Sequence, residues 1–124
     1  MHEDDVQPDT QAVEIQLSGT ESVELTSDIQ IIPVPGHSKG HTVLLYRNKF
    51  LFTGDHLAWS SYLEHLYAFH RFCCYSWSEQ IKSMEKLADY DFEWVLPGHG
   101  RRYHGNVDTT QKEMQKCIDW MKQQ

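Results

Sequence analysis

Three short segments of this 124-residue chain share one local design. Pro35-Gly36-His37, Thr53-Gly54-Asp55 and Pro97-Gly98-His99 each place a glycine, then a ligand-type side chain, directly after a β-rich apolar run. Glycine before the ligand lets the backbone turn sharply and approach closely without a Cβ clash. Strand ends converge at one rim of a sheet, so three such turns can aim two imidazoles and a carboxylate at one point. Zinc accepts those ligands without any thiolate.

The rest of the chain supplies strands and helices to carry the turns. Val13 to Leu17 and Val23 to Leu25 alternate with the period of half-buried strands. Residues 29–34 form a strand whose Pro33 belongs at an end or edge, because proline cannot donate to the ladder. Strands over 43–46 and 50–53 flank the polar turn Arg47-Asn48-Lys49, and a buried strand over 93–96 leads to Pro97-Gly98. Ser76-Trp77-Ser78-Glu79 has capping-box spacing. Behind it Trp77, Ile81, Met84 and Ala88 stripe a helix over 77–90. Asp108 is expected to cap a final helix over 109–122, with Met114, Cys117, Ile118 and Met121 on its apolar face. The aromatic-rich stretch 57–75 shows no clean period and reads as a loop or irregular helix.

Charge narrows the function classes. The net charge is −7, and residues 1–36 hold eight acids and neither Lys nor Arg, while residues 37–124 are close to balanced. An acidic chain without a basic stripe argues against nucleic-acid binding through phosphates. The acidic segment 1–11 reads as a solvated or ragged terminus, with a partner-binding arm as the alternative. Residues 12–124 then form one domain. No apolar run approaches a membrane span, and Met1-His2-Glu3-Asp4-Asp5 lacks the basic start of a leader peptide, so no membrane association is expected. A cytoplasmic location follows, or a plastid one if a longer precursor carries a transit peptide. Cys73, Cys74 and Cys117 are odd in number and form no Cys-x-x-Cys unit, which indicates neither a disulfide framework nor a zinc knuckle.

Taken together, Pro35-Gly36-His37-Ser38-Lys39-Gly40-His41-Thr42, Leu51-Phe52-Thr53-Gly54-Asp55 and Val95-Leu96-Pro97-Gly98-His99-Gly100 resemble three consecutive motifs of the metallo-β-lactamase superfamily. Within it the chain looks closest to glyoxalase-II-like hydrolases and a plant and cyanobacterial branch. The resemblance implies an α/β fold, an αβ/βα sandwich of which this chain holds the C-terminal half: one mostly antiparallel sheet with helices on one face. It implies His37 as a ligand of a first metal, Asp55 as the bridging carboxylate and His99 as a ligand of the second metal. His41 and His56 take supporting places behind these ligands. Arg101 and Arg102 could meet an anionic substrate, though solvated charge is the plainer account. The implied cofactor is a pair of zinc ions, with iron or manganese also compatible with His and Asp ligands. The implied reaction is attack of a metal-bound hydroxide on a small-molecule ester or thioester.

The superfamily motif His-x-His-x-Asp-His does not occur. Asp55 and one histidine per ion make a weak site, since a catalytic zinc usually has three protein ligands and a water. The chain is thus expected to bind zinc poorly and to be inactive or weakly active by itself. The apolar sheet face that would meet the absent half should need a protein partner or that half to cover it. The alternative is a non-catalytic binding or regulatory fragment of the same fold.

Overall fold

The computed structural model describes residues 22–68 and 75–124. The expected strand at 13–17, and His2, His70, Cys73 and Cys74, lie outside the described residues.

Six strands build the main sheet in the order β1-β2-β3-β4-β7-β8. They are β1 (Val23–Glu24), β2 (Ile29–Pro33), β3 (Thr42–Tyr46), β4 (Phe50–Gly54), β7 (Trp94–Pro97) and β8 (Tyr103–His104). Each neighbouring pair is antiparallel except β4 with β7, which run parallel. Pro33 is the last residue of β2, the end position its missing N–H favours. Between β3 and β4 the chain reverses with Arg47 and Asn48 at φ 55° and 51°, and the Lys49 amide donates to the Tyr46 carbonyl at 3.1 Å. Two positive φ values in a row give a turn whose twist matches that of the strands it joins.

The stretch that reads as loop or irregular helix corrects in part to a hairpin. Strands β5 (Ala58–Ser60) and β6 (His65–Tyr67) pair as a separate two-stranded sheet. Three residues per strand are too few for alternation to stand out among so many aromatic side chains. Strand β8 is another element without a sequence signal. It is two residues long, and its His104 stacks on Trp94 at 3.9 Å between ring centroids.

Helix α1 (Trp77–Leu87) starts where the capping box places it, with the Ser76 side chain accepting from the Glu79 amide at 3.2 Å. Helix α2 (Val107–Lys122) starts earlier than expected. Its cap is Asn106, in extended conformation and accepting from the Thr109 amide at 2.8 Å. Asp108 instead lies in the first turn, where its charge complements the helix dipole.

Strand alternation decides which sheet face the helices cover. Ile32, Val43, Leu45, Leu51 and Val95 are buried and share one core with Met84 and Leu87 of α1 and Met114, Cys117, Ile118 and Met121 of α2. The intervening strand residues point to the other face, which carries no helix among the described residues. Nor is any described helix long and apolar enough to cross a membrane.

Candidate metal centre

Strand direction assembles the rim. Because β2 is antiparallel to β3, β3 to β4, and β4 parallel to β7, the strands β2, β4 and β7 all point the same way. Their C-terminal ends lead to His37, Asp55 and His99. Between Phe52 and Gly54 the β4–β7 register shifts, leaving Thr53 as the extra residue of a bulge just ahead of Asp55. Bulges commonly re-aim a strand end in this way. Gly54 then takes φ 54°, a left-handed conformation, and a Cβ there would stand 3.2 Å from the His41 ring. The Gly98 amide donates to the Gly54 carbonyl at 2.8 Å, which ties the Asp55 and His99 turns together.

Asp55 sits between the two imidazoles. Its Oδ1 accepts from His99 Nδ1 at 2.6 Å, and its Oδ2 lies 3.5 Å from His37 Nε2. The hydrogen bond from His99 holds the Asp55 carboxyl below the ordinary carboxylate value. Partial burial opposes that shift, and the nearby His37, His99 and His41 charges reinforce it. His99 is otherwise open to solvent, with its side chain 79% exposed.

Further imidazoles lead inward from the rim. His41 meets His37 edge-on at 5.7 Å and lies 6.3 Å from the His56 ring. Its Nε2 lies 3.3 Å from the Thr53 carbonyl and donates to it, so His41 anchors the end of β4. His56 is completely buried, and neither ring nitrogen has a hydrogen-bond partner among the described residues. Burial first, and then the charges of His41 and His37, push its pKa down to about 3, so the ring is neutral. Arg101 and Arg102 are exposed on the segment after His99, and the Arg101 carbonyl accepts from the Trp59 amide at 2.9 Å.

Helix α1 grips the His37 turn from below, a role for which the sequence carries little signal. Ser83 Oγ donates to the Pro35 carbonyl at 2.7 Å, and Lys86 Nζ to the Pro33 carbonyl at 3.3 Å. The Gly36 carbonyl accepts from the Ser76 amide at 3.0 Å. A Cβ on Gly36 would fall 2.4 Å from Gln80 Cβ, so only glycine admits this approach. Gln80, itself buried, donates from Nε2 to the His56 carbonyl at 3.3 Å and so touches both the His37 and the Asp55 turns. The one available hint is two polar residues, Gln80 and Ser83, on the face of α1 that also carries Met84 and Leu87.

The donor chemistry suits zinc, but the arrangement does not fit a complete centre. Among the described residues no three His, Cys, Asp or Glu side chains converge on one coordination point. Zinc bonds to nitrogen and carboxylate oxygen are about 2.0–2.2 Å long. Here an Asp55 oxygen and His99 Nδ1 are instead in direct hydrogen bond to each other at 2.6 Å. The chain presents a carboxylate and two imidazoles at one rim, paired among themselves.

No protein-family model matches the chain, and no curated protein sequence matches it. Solved structures do. An archaeal metallo-beta-lactamase superfamily protein from Sulfolobus tokodaii is similar with a TM-score of 0.57 and 23% identity, over 88% of this chain and 38% of that one. A metallo-beta-lactamase from Hirschia baltica matches with a TM-score of 0.56 and 18% identity, over 86% of this chain and 47% of that one. A metallo-beta-lactamase family protein from Thermus thermophilus gives 0.52 and 14%, over 89% and 36%. The described sheet and helices therefore have the metallo-beta-lactamase fold, and the chain spans less than half the length of these proteins.

Proposed function

We propose that this chain is one half of a metal-dependent hydrolase of the metallo-beta-lactamase fold, of the type that cleaves small esters or thioesters, as glyoxalase-II-like enzymes do. The observation that carries the reading is the rim itself. Three strands that point the same way deliver His37, Asp55 and His99 together, with the Asp55 carboxylate between the two imidazoles. These residues are donors to a centre that needs further ligands from outside the chain, and His41 and Gln80 hold the turns that present them. Zinc is the metal this donor set suits, with iron or manganese as substitutes.

The test is complementation. The chain is mixed with a separately purified polypeptide carrying a His-x-His-x-Asp-His half of the same fold, and zinc-dependent hydrolysis of a small thioester is followed. Hydrolysis is expected from the mixture and not from either part alone, and Asp55→Ala should abolish it. A mixture that forms a complex yet neither takes up zinc nor hydrolyses the thioester would sink this reading. A non-catalytic binding module is then the better account, and the direct pairing of Asp55 with His99, which occupies the donor atoms, is the observation that favours it.

A further inference from the structure

Gln80 is an unexpected residue for the place it holds. Helix α1 turns Gln80, Ser83, Met84 and Leu87 into the interior, and Gln80 is 1% exposed. Its amide is only half satisfied. Nε2 donates to the His56 carbonyl at 3.3 Å, while Oε1 is buried without a hydrogen-bond partner. The residue it holds carries the same burden, since both ring nitrogens of His56 are buried and unpartnered. Among the described residues five buried side-chain atoms lack a partner, and three of them belong to this one contact. A buried acceptor that is withdrawn from water and given no donor costs folding free energy, and an apolar side chain of similar shape removes that cost. Ser83, almost one turn along the same helix, differs in this respect, because its hydroxyl donates to the Pro35 carbonyl at 2.7 Å. Gln80 therefore stands where a Met or Leu would serve the core better.

We infer that Gln80 is a positioning residue, kept against folding stability because it sets the spacing of the His37 and Asp55 turns. The inference rests on the reading of this rim as part of a metal centre. Gln80 touches the two turns by different means. On one side its Cα and Cβ press on Gly36, where an added Cβ would stand 2.6 and 2.4 Å away, so the backbone of the His37 turn rests directly on the helix. On the other side its amide reaches the carbonyl of the residue that follows Asp55. The helix between these contacts is held in turn, with the Ser76 amide donating to the Gly36 carbonyl and the Gln80 amide to the Ser76 carbonyl. The separation of two ligand turns is thus set by the length of one side chain. Metal ligands depend on such outer partners for their orientation. The Asp55 turn has particular need of one, since it combines a register shift with a left-handed Gly54. Irregular backbone of this kind persists where its surroundings over-determine it. Met fills about the same space as Gln but cannot donate to the His56 carbonyl. Folding and positioning therefore pull in opposite directions at residue 80, whereas at a merely structural residue they move together.

Gln80→Met in the whole chain tests this, with Ser83→Ala as the structural control. The Gln80→Met midpoint in urea is expected at or above that of the unaltered chain, because the unpartnered Oε1 is gone. Hydrogen exchange should report the opposite change at the rim. The His56 and Gly98 amides bond to the Thr53 and Gly54 carbonyls at 2.9 and 2.8 Å. Their exchange should quicken about tenfold, as the loss of one ordinary hydrogen bond would produce, while amides of β3 and α2 stay unchanged. Ser83→Ala, which removes a satisfied bond, should lower the midpoint. A Gln80→Met chain with a lowered midpoint, down to failure to fold, overturns the inference. So do His56 and Gly98 amides whose exchange does not change. In the complementation mixture, Gln80→Met should lower kcat for the thioester with KM little altered, and an unaltered kcat also overturns it. Absence of hydrolysis with the unaltered chain bears on the proposed function alone, and the urea and exchange measurements then decide the role of Gln80 by themselves.

Discussion

His56 shows how a single side chain can set the acid response of the protein. Its ordinary value of 6.5 falls to about 3 in the fold, because the buried site disfavours the charged ring. The unfolded chain therefore binds a proton below pH 6.5 that the folded chain refuses until about pH 3. Stability must fall as pH drops through that window, by up to about 1.4 kcal/mol per pH unit for one proton. We predict that His56→Leu removes this slope, which denaturant unfolding at about pH 7, 5.5 and 4.5 would measure. Equal slopes in both proteins would contradict it. Asp55 works in a lower window and by another cause. Its depressed carboxyl contributes stability above its ordinary value of 3.8 that is lost as pH falls through the lower folded value. Asp55→Asn should consequently cost stability near neutrality, and the difference from the unaltered chain should vanish in strong acid. Because the carboxyl is partly exposed, the effect is expected to be small beside that of His56. The sequence could place Asp55 after its glycine, but not show that His56, one position on, turns into the core.

At the scale of the element, the α1 cap and the rim turns are legible in the sequence, while the α2 cap and the grip of α1 are not. Ser76 reads as a cap because its spacing to Glu79 is a local chemical pattern, and the structure puts its hydroxyl on the Glu79 amide at 3.2 Å. Ser76→Ala should cost about 1 kcal/mol in chemical denaturation. A change below about 0.3 kcal/mol would show that the cap contributes little to folding. Asn106 outcompetes Asp108 for the second cap because backbone conformation, not residue preference, chooses between two good capping side chains two positions apart. Gln80 and Ser83 look like surface residues until the β2 end is laid across α1, since their partners, the His56 and Pro35 carbonyls, are distant in the chain. Strands β5, β6 and β8 are similarly short, and their existence rests on pairing rather than on periodicity.

At the scale of the molecule the described residues form two layers, a sheet and the helices that cover one of its faces. Its core on the helix side is closed, so a deletion there should cost what deletions in well-packed cores cost. Leu51 is fully buried on β4, between β3 and β7, and Leu51→Ala is expected to destabilise the chain by about 2–5 kcal/mol in urea unfolding. A loss under about 1 kcal/mol would mean that this core is loosely packed. By itself the sequence determined the three rim turns and the strands that end in them, because glycine, proline and alternation act over a few adjacent residues, while the fold followed from the family resemblance those turns carry. The tertiary structure alone decided which imidazole is buried, that α1 holds the His37 turn, and that His99 bonds to Asp55 instead of standing free. It also decided that Ile31, Leu44 and Phe52, paired across strands, share the sheet face turned away from the helices. Each of these depends on contacts between residues far apart in the chain, which no local pattern records.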